Sequence, residues 1–278
     1  VAQVSSELRF LVVRRSLPRA WIATLVGACA ALFALRLAAL FVPSSNGFAS
    51  AEVTIGWGLA LAGAIAGGLA ARRVNSAIGV ALVAAGILVA ALSSPSLSRL
   101  VFAHAHNVIT IAVWAWVFRR RLRYAVPTLL AIAIGIGFFA SGAALAHARL
   151  DGPFARRFVD EAIFGWPRGL LSQRTALGVG LAYVFLQAIH YGVWLGWVPQ
   201  EDVRAEGTIT FRMSARAIMR DLGAPGVAVT LIAAALVLGG SLFDVHRTRA
   251  LYLSLATFHG YLEVSVLAFF LARGRRSS

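Results

Sequence analysis

The stretch ALYLSLATFHGYLEVSVLAFFL, residues 250–271, is long and apolar enough to cross the hydrocarbon core of a bilayer as a helix. His259 and Glu263 lie near its middle, four residues apart, so they share one face of that helix. Placing one ionisable side chain at this depth costs roughly 2.5 to 3.5 kcal/mol on insertion scales. The stretch therefore predicts a transmembrane helix whose polar face meets polar groups on other helices.

The composition of the whole chain points to the same environment. Hydrophobic residues make up 59% of the 278 residues, and charged residues make up 13%, about half the share usual in a soluble domain. Apolar runs of about 20 residues recur from end to end, and the polar connections between them are too short for a separate soluble domain. We therefore predict an all-α, polytopic integral membrane helix bundle of about eight transmembrane helices, with seven as the alternative.

The predicted spans follow one another along most of the chain. They cover residues 21–42, 53–71, 77–92, 100–118, 124–147, 175–197, 224–243 and 250–271. Together they form one transmembrane domain at residues 21–272. Arginines concentrate in alternate connections, which predicts eight spans with both termini in the cytoplasm of a bacterial-type inner membrane.

The segments outside the spans are short and rich in arginine. Residues 1–20 are predicted as an amphipathic segment on the cytoplasmic membrane surface. Residues 148–174 mix arginines with large apolar side chains, which predicts an interfacial loop or helix on the outer surface. Residues 273–278 are predicted as a basic cytoplasmic tail.

The net charge of +15 comes entirely from arginine, because the chain has no lysine. In a soluble protein this charge would indicate a nucleic-acid ligand. Here the arginines cluster at the ends of apolar runs, where they set topology and contact lipid headgroups. We therefore predict the lipid bilayer as a partner and no nucleic acid. The single cysteine, Cys29, excludes an intrachain disulfide and a cysteine-based metal cluster.

Histidines carry most of the polar chemistry inside the predicted spans. Four of the six lie in one slab about 13 Å thick near the bilayer midplane: His104, His106, His190 and His259. His147 and His246 fall at outer helix ends and are interpreted as interfacial residues. His104 and His106 point about 200° apart on a regular helix, so only one of them is expected to face the interior.

Several neutral imidazoles in a dry interior suit a first-row metal ion. The candidate ligands are His104, His106, His190 and His259. Glu263 is a candidate for one of three roles: a metal ligand, an outer-shell partner of a histidine, or a proton carrier. Tyr183 and Tyr261 are candidates for positioning a substrate. We hypothesise a metal-dependent oxidoreductase that takes a lipophilic substrate sideways from the bilayer, with iron(II) foremost and zinc or copper as alternatives.

Three other functions agree with the same residues. A haem-binding electron carrier needs two axial histidines on different helices, such as His106 and His259. A proton-coupled transporter or channel could use His190 and Glu263 as a relay. An accessory subunit of a larger membrane complex would turn its histidines toward a partner chain.

Two further polar features have a structural interpretation. Trp194 lies near the inner end of its span, where tryptophans form the interfacial aromatic belt. Arg36 lies inside the first span, and its candidate partner is Glu263, because no other acidic residue lies well inside a predicted span.

Three motifs resemble one known family. LQAIHYGVW at residues 186–194 and LATFHGYLEVSVLAFF at 255–270 are similar to the late histidine-bearing helices of bacterial membrane-bound, retinal-forming beta-carotene dioxygenases. VFAHAHN at 101–107 is similar to one of that family's earlier histidine helices. The resemblance covers about residues 100–272. It implies an all-helical enzyme with a non-haem iron held by His190, His259 and either His104 or His106.

Overall fold

The fold is a bundle of helices. The computed structural model describes residues 2–15, 17–42, 46–118, 125–146, 166–167, 169–202 and 211–274, and these residues contain no β-strand. The α-helices are α1 (Ala2–Glu7), α2 (Arg19–Ala38), α3 (Asn46–Ala71), α4 (Val74–Ser93), α5 (Pro95–Val113), α6 (Val126–Ala140), α7 (Gln173–Gly192), α8 (Val198–Asp202), α9 (Phe211–Phe243), α10 (Val245–Leu255) and α11 (Phe258–Arg273). Three π-helical segments continue α1, α5 and α7: Leu8–Val13, Trp114–Phe118 and Val193–Trp197.

Seven helical stretches in the described part of the chain are long and apolar enough to cross a membrane. They are Arg19–Ala38, Gly47–Ala71, Val74–Ser93, Pro95–Phe118, Gln173–Gln200, Ala215–Phe243 and Arg247–Arg273. The prediction of an all-α, multi-pass membrane bundle is therefore confirmed. The side on which the termini lie and the identity of the membrane stay predictions.

The fifth predicted span, residues 124–147, is shorter than expected. Its helix, α6, has 15 residues and is about 22 Å long, less than the roughly 30 Å of the hydrocarbon core. The helix ends at Ser141 and Gly142, where Gly142 has a φ of 75°, a conformation that glycine adopts at little cost. The count of seven long spans follows from this early stop.

The last long stretch, residues 250–271, is the centre of the bundle. Tyr261, Leu262, Glu263 and Phe269 are fully buried in α11. α3 packs along this helix so closely that a Cβ at Gly67 would collide with the backbone carbonyl of Phe269. The close contact requires residues without side chains, as at helix interfaces in membranes.

The same stretch is broken into two helices, α10 and α11, rather than one. The break falls at Ala256 and Thr257, and the Thr257 hydroxyl donates to the carbonyls of Leu253 and Ser254. A threonine hydroxyl that bonds to the preceding turn competes with the backbone ladder and bends a helix. At this break the Ala256 carbonyl accepts the backbone N–H of His259 at 3.1 Å and also bonds to the His259 ring.

The N-terminal segment enters the bundle, whereas the sequence predicted it on the membrane surface. α1 and the π-helical turn after it are buried along one face by Gln3, Glu7, Phe10 and Leu11. One face of this segment therefore packs on protein, and its position relative to the membrane stays a prediction. An apolar face in a sequence shows that something covers it, and does not show whether lipid or protein does so.

The other flanking segments are described only in part. Of residues 148–174, the structure describes Trp166, Pro167 and 169–174, so the predicted interfacial placement lies mostly outside the described residues. Of the predicted tail, it describes residues 273 and 274.

Candidate metal centre

Three histidines from three helices meet in the interior of the bundle: His106 on α5, His190 on α7 and His259 on α11. Their ring centroids are 5.2 Å apart for His106 and His190, 5.2 Å for His106 and His259, and 5.7 Å for His190 and His259. One ring nitrogen from each lies within 4.8 Å of those of the other two. The helices therefore bring together residues far apart in sequence, as a metal centre requires.

The Nδ1 atoms of two of these histidines are held by backbone carbonyls. His106 Nδ1 donates to the carbonyl of Ala103 at 2.8 Å, and His259 Nδ1 donates to that of Ala256. A carbonyl only accepts, so each Nδ1 carries the proton. Nε2 of both rings is therefore the unprotonated nitrogen, with a lone pair that can bind a metal.

Thr110 holds the third ring in the same tautomer. Its hydroxyl donates to Glu263 Oε2 at 2.6 Å and lies 2.6 Å from His190 Nδ1. The hydroxyl has one proton, which the carboxylate accepts, so His190 Nδ1–H donates to Thr110 Oγ1. His190 Nε2 is then the nitrogen with the lone pair, as in His106 and His259, and in this structure it contacts the Gln3 amide nitrogen.

Glu263 lies behind the histidines rather than among them. It is fully buried, and Oε1 accepts a hydrogen bond of 2.6 Å from Trp194 Nε1. Its nearest approach to His190 Nε2 is 3.8 Å. Because Glu263 reaches His190 Nδ1 through the Thr110 hydroxyl, it orients that ring as an outer-shell carboxylate does in metal sites.

Glu7 is a second buried carboxyl at the site, and the sequence did not indicate it. Its Oε1 lies 3.5 Å from His190 Nε2, and Gln3 bonds to both groups. Burial raises the pKa of the Glu7 carboxyl to about 8. In the sequence, Glu7 is only an acidic residue in an amphipathic segment. It lies beside His190 because α1 packs inside the bundle.

Trp194 is also part of the centre, so its assignment to an interfacial belt was wrong. It is fully buried in the π-helical segment that follows the histidine helix α7. Its ring contacts Phe118 edge to face, with centroids 6.1 Å apart, in the π-helical segment that follows α5. π-Helical segments are frequent at functional sites, and here two of them meet beside Glu263.

His104 faces a different direction from His106. Its ring packs against Trp166 and Tyr183, with centroids 5.2 and 4.9 Å apart, and its Nδ1 bonds to the carbonyl of Leu100. The structure thus brings His106 to the other two histidines and leaves His104 out of that cluster. The helix geometry that predicted only one inward-facing histidine agrees with this arrangement.

The two candidate tyrosines differ in their positions. Tyr183 lines the cavity beside the histidines. Tyr261 stacks on Phe102, with centroids 4.3 Å apart, and its ring lies against Gly56 of α3. It does not line the cavity, so its predicted part in positioning a substrate is not supported. Its hydroxyl has no hydrogen-bond partner among the described residues.

The cavity has a volume of about 140 Å³. The three histidines form part of its wall, together with Gln3, Asn107, Gln187, Arg36 and Arg99. Apolar side chains such as Phe102 and Leu253 complete it. The site is thus a small internal space with imidazole, amide and guanidinium groups in its lining.

The sequence suggested Glu263 as the partner of Arg36, but in the structure Arg36 pairs with Glu52 instead. Arg36 Nη2 donates to Glu52 Oε1 at 2.8 Å, and the Nε atoms of Arg36 and Arg99 lie 2.8 and 3.1 Å from Oε2 as ion pairs. Glu52 belongs to the span because α3 begins at Asn46, before the predicted start at residue 53.

His147 lies outside the described residues, and His246 lies in α10.

No family model matches the sequence, and no curated protein or solved structure matches it.

Proposed function

We propose that the chain is a membrane-embedded, histidine-ligated metal-dependent oxidoreductase that acts on a lipophilic substrate. The observation that carries the proposal is the convergence of three imidazoles from three helices, His106, His190 and His259, with one ring nitrogen of each within 4.8 Å of the others. Each ring has its Nδ1 proton held by a carbonyl or hydroxyl oxygen. Hydrogen bonds of this kind at the second nitrogen are typical of histidines that bind metals.

The donor set fits a first-row metal ion. Ligand atoms with bonds near 2.1 Å to one tetrahedral ion lie about 3.4 Å from each other. The three imidazole nitrogens lie within 4.8 Å of one another, so small side-chain rotations bring them to a common ion. Neutral nitrogen donors suit iron, zinc and copper, and we propose iron(II) first.

The protein residues around the ion would each have a defined part. The three histidines hold the metal, and Glu263 holds the Nδ1 proton of His190 through Thr110, which makes Nε2 a stronger donor. A bound iron ion would supply dioxygen activation or polarisation of the substrate. Tyr183 lines the space that the substrate would occupy.

Iron chemistry on a lipid-soluble molecule is also what the resemblance to the beta-carotene dioxygenases implies. The substrate is therefore expected to be carotenoid-like or lipid-like. The bilayer delivers such molecules directly to a site between helices, which is why a buried cavity is compatible with an apolar substrate.

Metal analysis of the purified protein tests the proposal. We expect about one iron per chain, and loss of that iron in His106→Ala, His190→Ala and His259→Ala. The matched control is His104→Ala, which removes a neighbouring histidine outside the cluster and should keep the metal. Protein that stays metal-free after incubation with iron(II), zinc and copper(II) would reject the proposal.

The geometry favours a non-haem metal over the haem hypothesis. His106 and His259 meet edge to face with ring centroids 5.2 Å apart. A haem with two axial histidines places the porphyrin plane between the two rings, and these rings leave no such space. An absorption spectrum without a Soret band is the expected result.

A proton-coupled transporter is the second candidate, because Glu7, His190 and Glu263 form a buried group. Their donor atoms lie within 4.8 Å of one another, as in a proton relay inside a membrane. This function predicts proton flux through metal-free protein in liposomes, and its loss in Glu263→Gln. Liposomes without such flux would reject it.

A further inference from the structure

The cavity beside the histidines also carries two arginines and no carboxylate in its described lining. Arg36 and Arg99 both contribute to the wall. Their shared partner, Glu52, is 2% exposed and neutralises only one of the two guanidinium groups. One positive charge therefore remains within this group of three, while the carboxyl groups of Glu7 and Glu263 lie beside His190, at the other end of the cavity.

Arg99 and His106 are aligned along α5. They are seven residues apart, which is two helical turns, so they share a face and are separated by about 10 Å along the axis. Both line the same cavity. The cavity is therefore polar and cationic toward one end and presents imidazole nitrogens toward the other.

Asn107 adds a second, independent sign of a ligand. Its side chain is 0% exposed and lines the cavity. Neither its nitrogen nor its oxygen has a hydrogen-bond partner among the described residues. A buried amide without partners is costly, so a bound molecule or an ordered water is expected beside it.

We infer that the substrate is a lipophilic monocarboxylic acid, whose carboxylate binds Arg99 and Arg36 while its apolar chain passes the three histidines. The inference rests on the proposed function, since it names the substrate of that site. A single negative charge matches the single surplus positive charge. A phosphate monoester carries about 1.5 to 2 negative charges at neutral pH and would leave an excess of negative charge.

Guanidinium groups also suit the geometry of this ligand. Their planar N–H groups bond to the two oxygens of a carboxylate. Arg36 Nη2 already donates to Glu52, whereas Arg99 approaches Glu52 only as an ion pair through Nε. We therefore expect Arg99 to contribute most to binding of the acid.

Fluorescence binding to the metal-free protein in a nonionic detergent tests this inference. The probe is a fluorescent polyene fatty acid, and the competitors are palmitate, methyl palmitate and hexadecyl phosphate. Palmitate should displace the probe at a concentration at least about tenfold lower than methyl palmitate. A tenfold change in affinity corresponds to about 1.4 kcal/mol, and a hydrogen bond to a charged group contributes at least this much. Equal competition by acid and ester, or stronger competition by hexadecyl phosphate, would overturn the inference.

Arg99→Gln and Arg216→Gln form a matched pair of variants. Arg99→Gln should weaken binding of palmitate at least about tenfold and abolish the preference over the ester. Arg216→Gln changes an exposed arginine on α9. It should leave both the affinity for palmitate and the preference for the acid over the ester unchanged. An Arg99→Gln protein that keeps the acid preference contradicts the inference.

The experiment separates this inference from the proposed function. Binding of the acid is measured without metal, and metal content is measured without acid. Acid preference in a protein that binds no metal would reject the metal-dependent function and keep the anion site. A protein that binds metal but shows no preference for the acid would keep the metal-dependent function and reject the anion site.

Discussion

Thr110 connects the histidines to the buried carboxylate, so Thr110→Val gives the sharpest test of the metal centre. The substitution keeps the shape of the side chain and removes its hydroxyl. That hydroxyl makes two buried hydrogen bonds of 2.6 Å, to His190 Nδ1 and to Glu263 Oε2. His190 then loses the group that holds its Nδ1 proton, and Glu263 loses one donor but keeps Trp194 as another.

Stability and metal affinity should both fall in Thr110→Val, by different amounts. Hydrogen bonds between membrane helices average about 0.6 kcal/mol, so two of them contribute about 1.2 kcal/mol to the free energy of unfolding. Loss of an outer-shell partner lowers metal affinity by about 10- to 100-fold. The second effect exists only if His190 is a ligand.

Two measurements on the parent, Thr110→Val and Thr110→Ser proteins separate these effects. Unfolding is measured on metal-free protein, and iron affinity is measured by competition with a chelator. Thr110→Ser retains the hydroxyl and should behave as the parent in both. Metal affinity that is unchanged in Thr110→Val, together with reduced stability, would show that the threonine is only structural and would refute the reasoning.

Three other substitutions test the packing and charges around the centre, each by thermal or denaturant unfolding in detergent. Gly67→Val should lower the free energy of unfolding by about 1 to 3 kcal/mol, because its side chain has no room against α11. Gly58→Ala, on the same helix with nothing within 4 Å of its Cβ position, should change it little, and equal losses would refute the packing argument. Glu52→Gln should cost about 3 kcal/mol, since two guanidinium groups lose their carboxylate; a neutral outcome would mean that the arginines are neutralised elsewhere. Tyr261→Phe should leave both stability and metal content unchanged, and a loss of metal would place its hydroxyl in the site after all.

The irregular parts of the helices lie where the centre is built. The break before α11 includes Ala256, whose carbonyl bonds to both the backbone N–H and the ring of His259, and π-helical segments follow α5 and α7. A regular helix uses its carbonyls in its own ladder and offers few partners to side chains. Inside a membrane, where water is scarce, such irregularities supply the polar groups that a buried site needs.

The class of the protein and the depth of its histidines could be predicted from the sequence alone. Hydropathy identifies membrane helices, and the rise per residue places His106, His190 and His259 at similar depth. Both are properties along one helix axis, so they need no knowledge of neighbouring helices. The shorter α6 was harder to foresee, because its end depends on the local backbone at Gly142.

Directions around the helices were decided only by the tertiary structure. Spacing shows that His104 and His106 diverge, but packing alone selects His106 for the interior. The partner of Arg36 depended on where α3 begins, and the arrival of Glu7 depended on a short segment entering the bundle. These outcomes rest on contacts between residues distant in sequence, and no periodicity along the chain encodes which helix faces are neighbours.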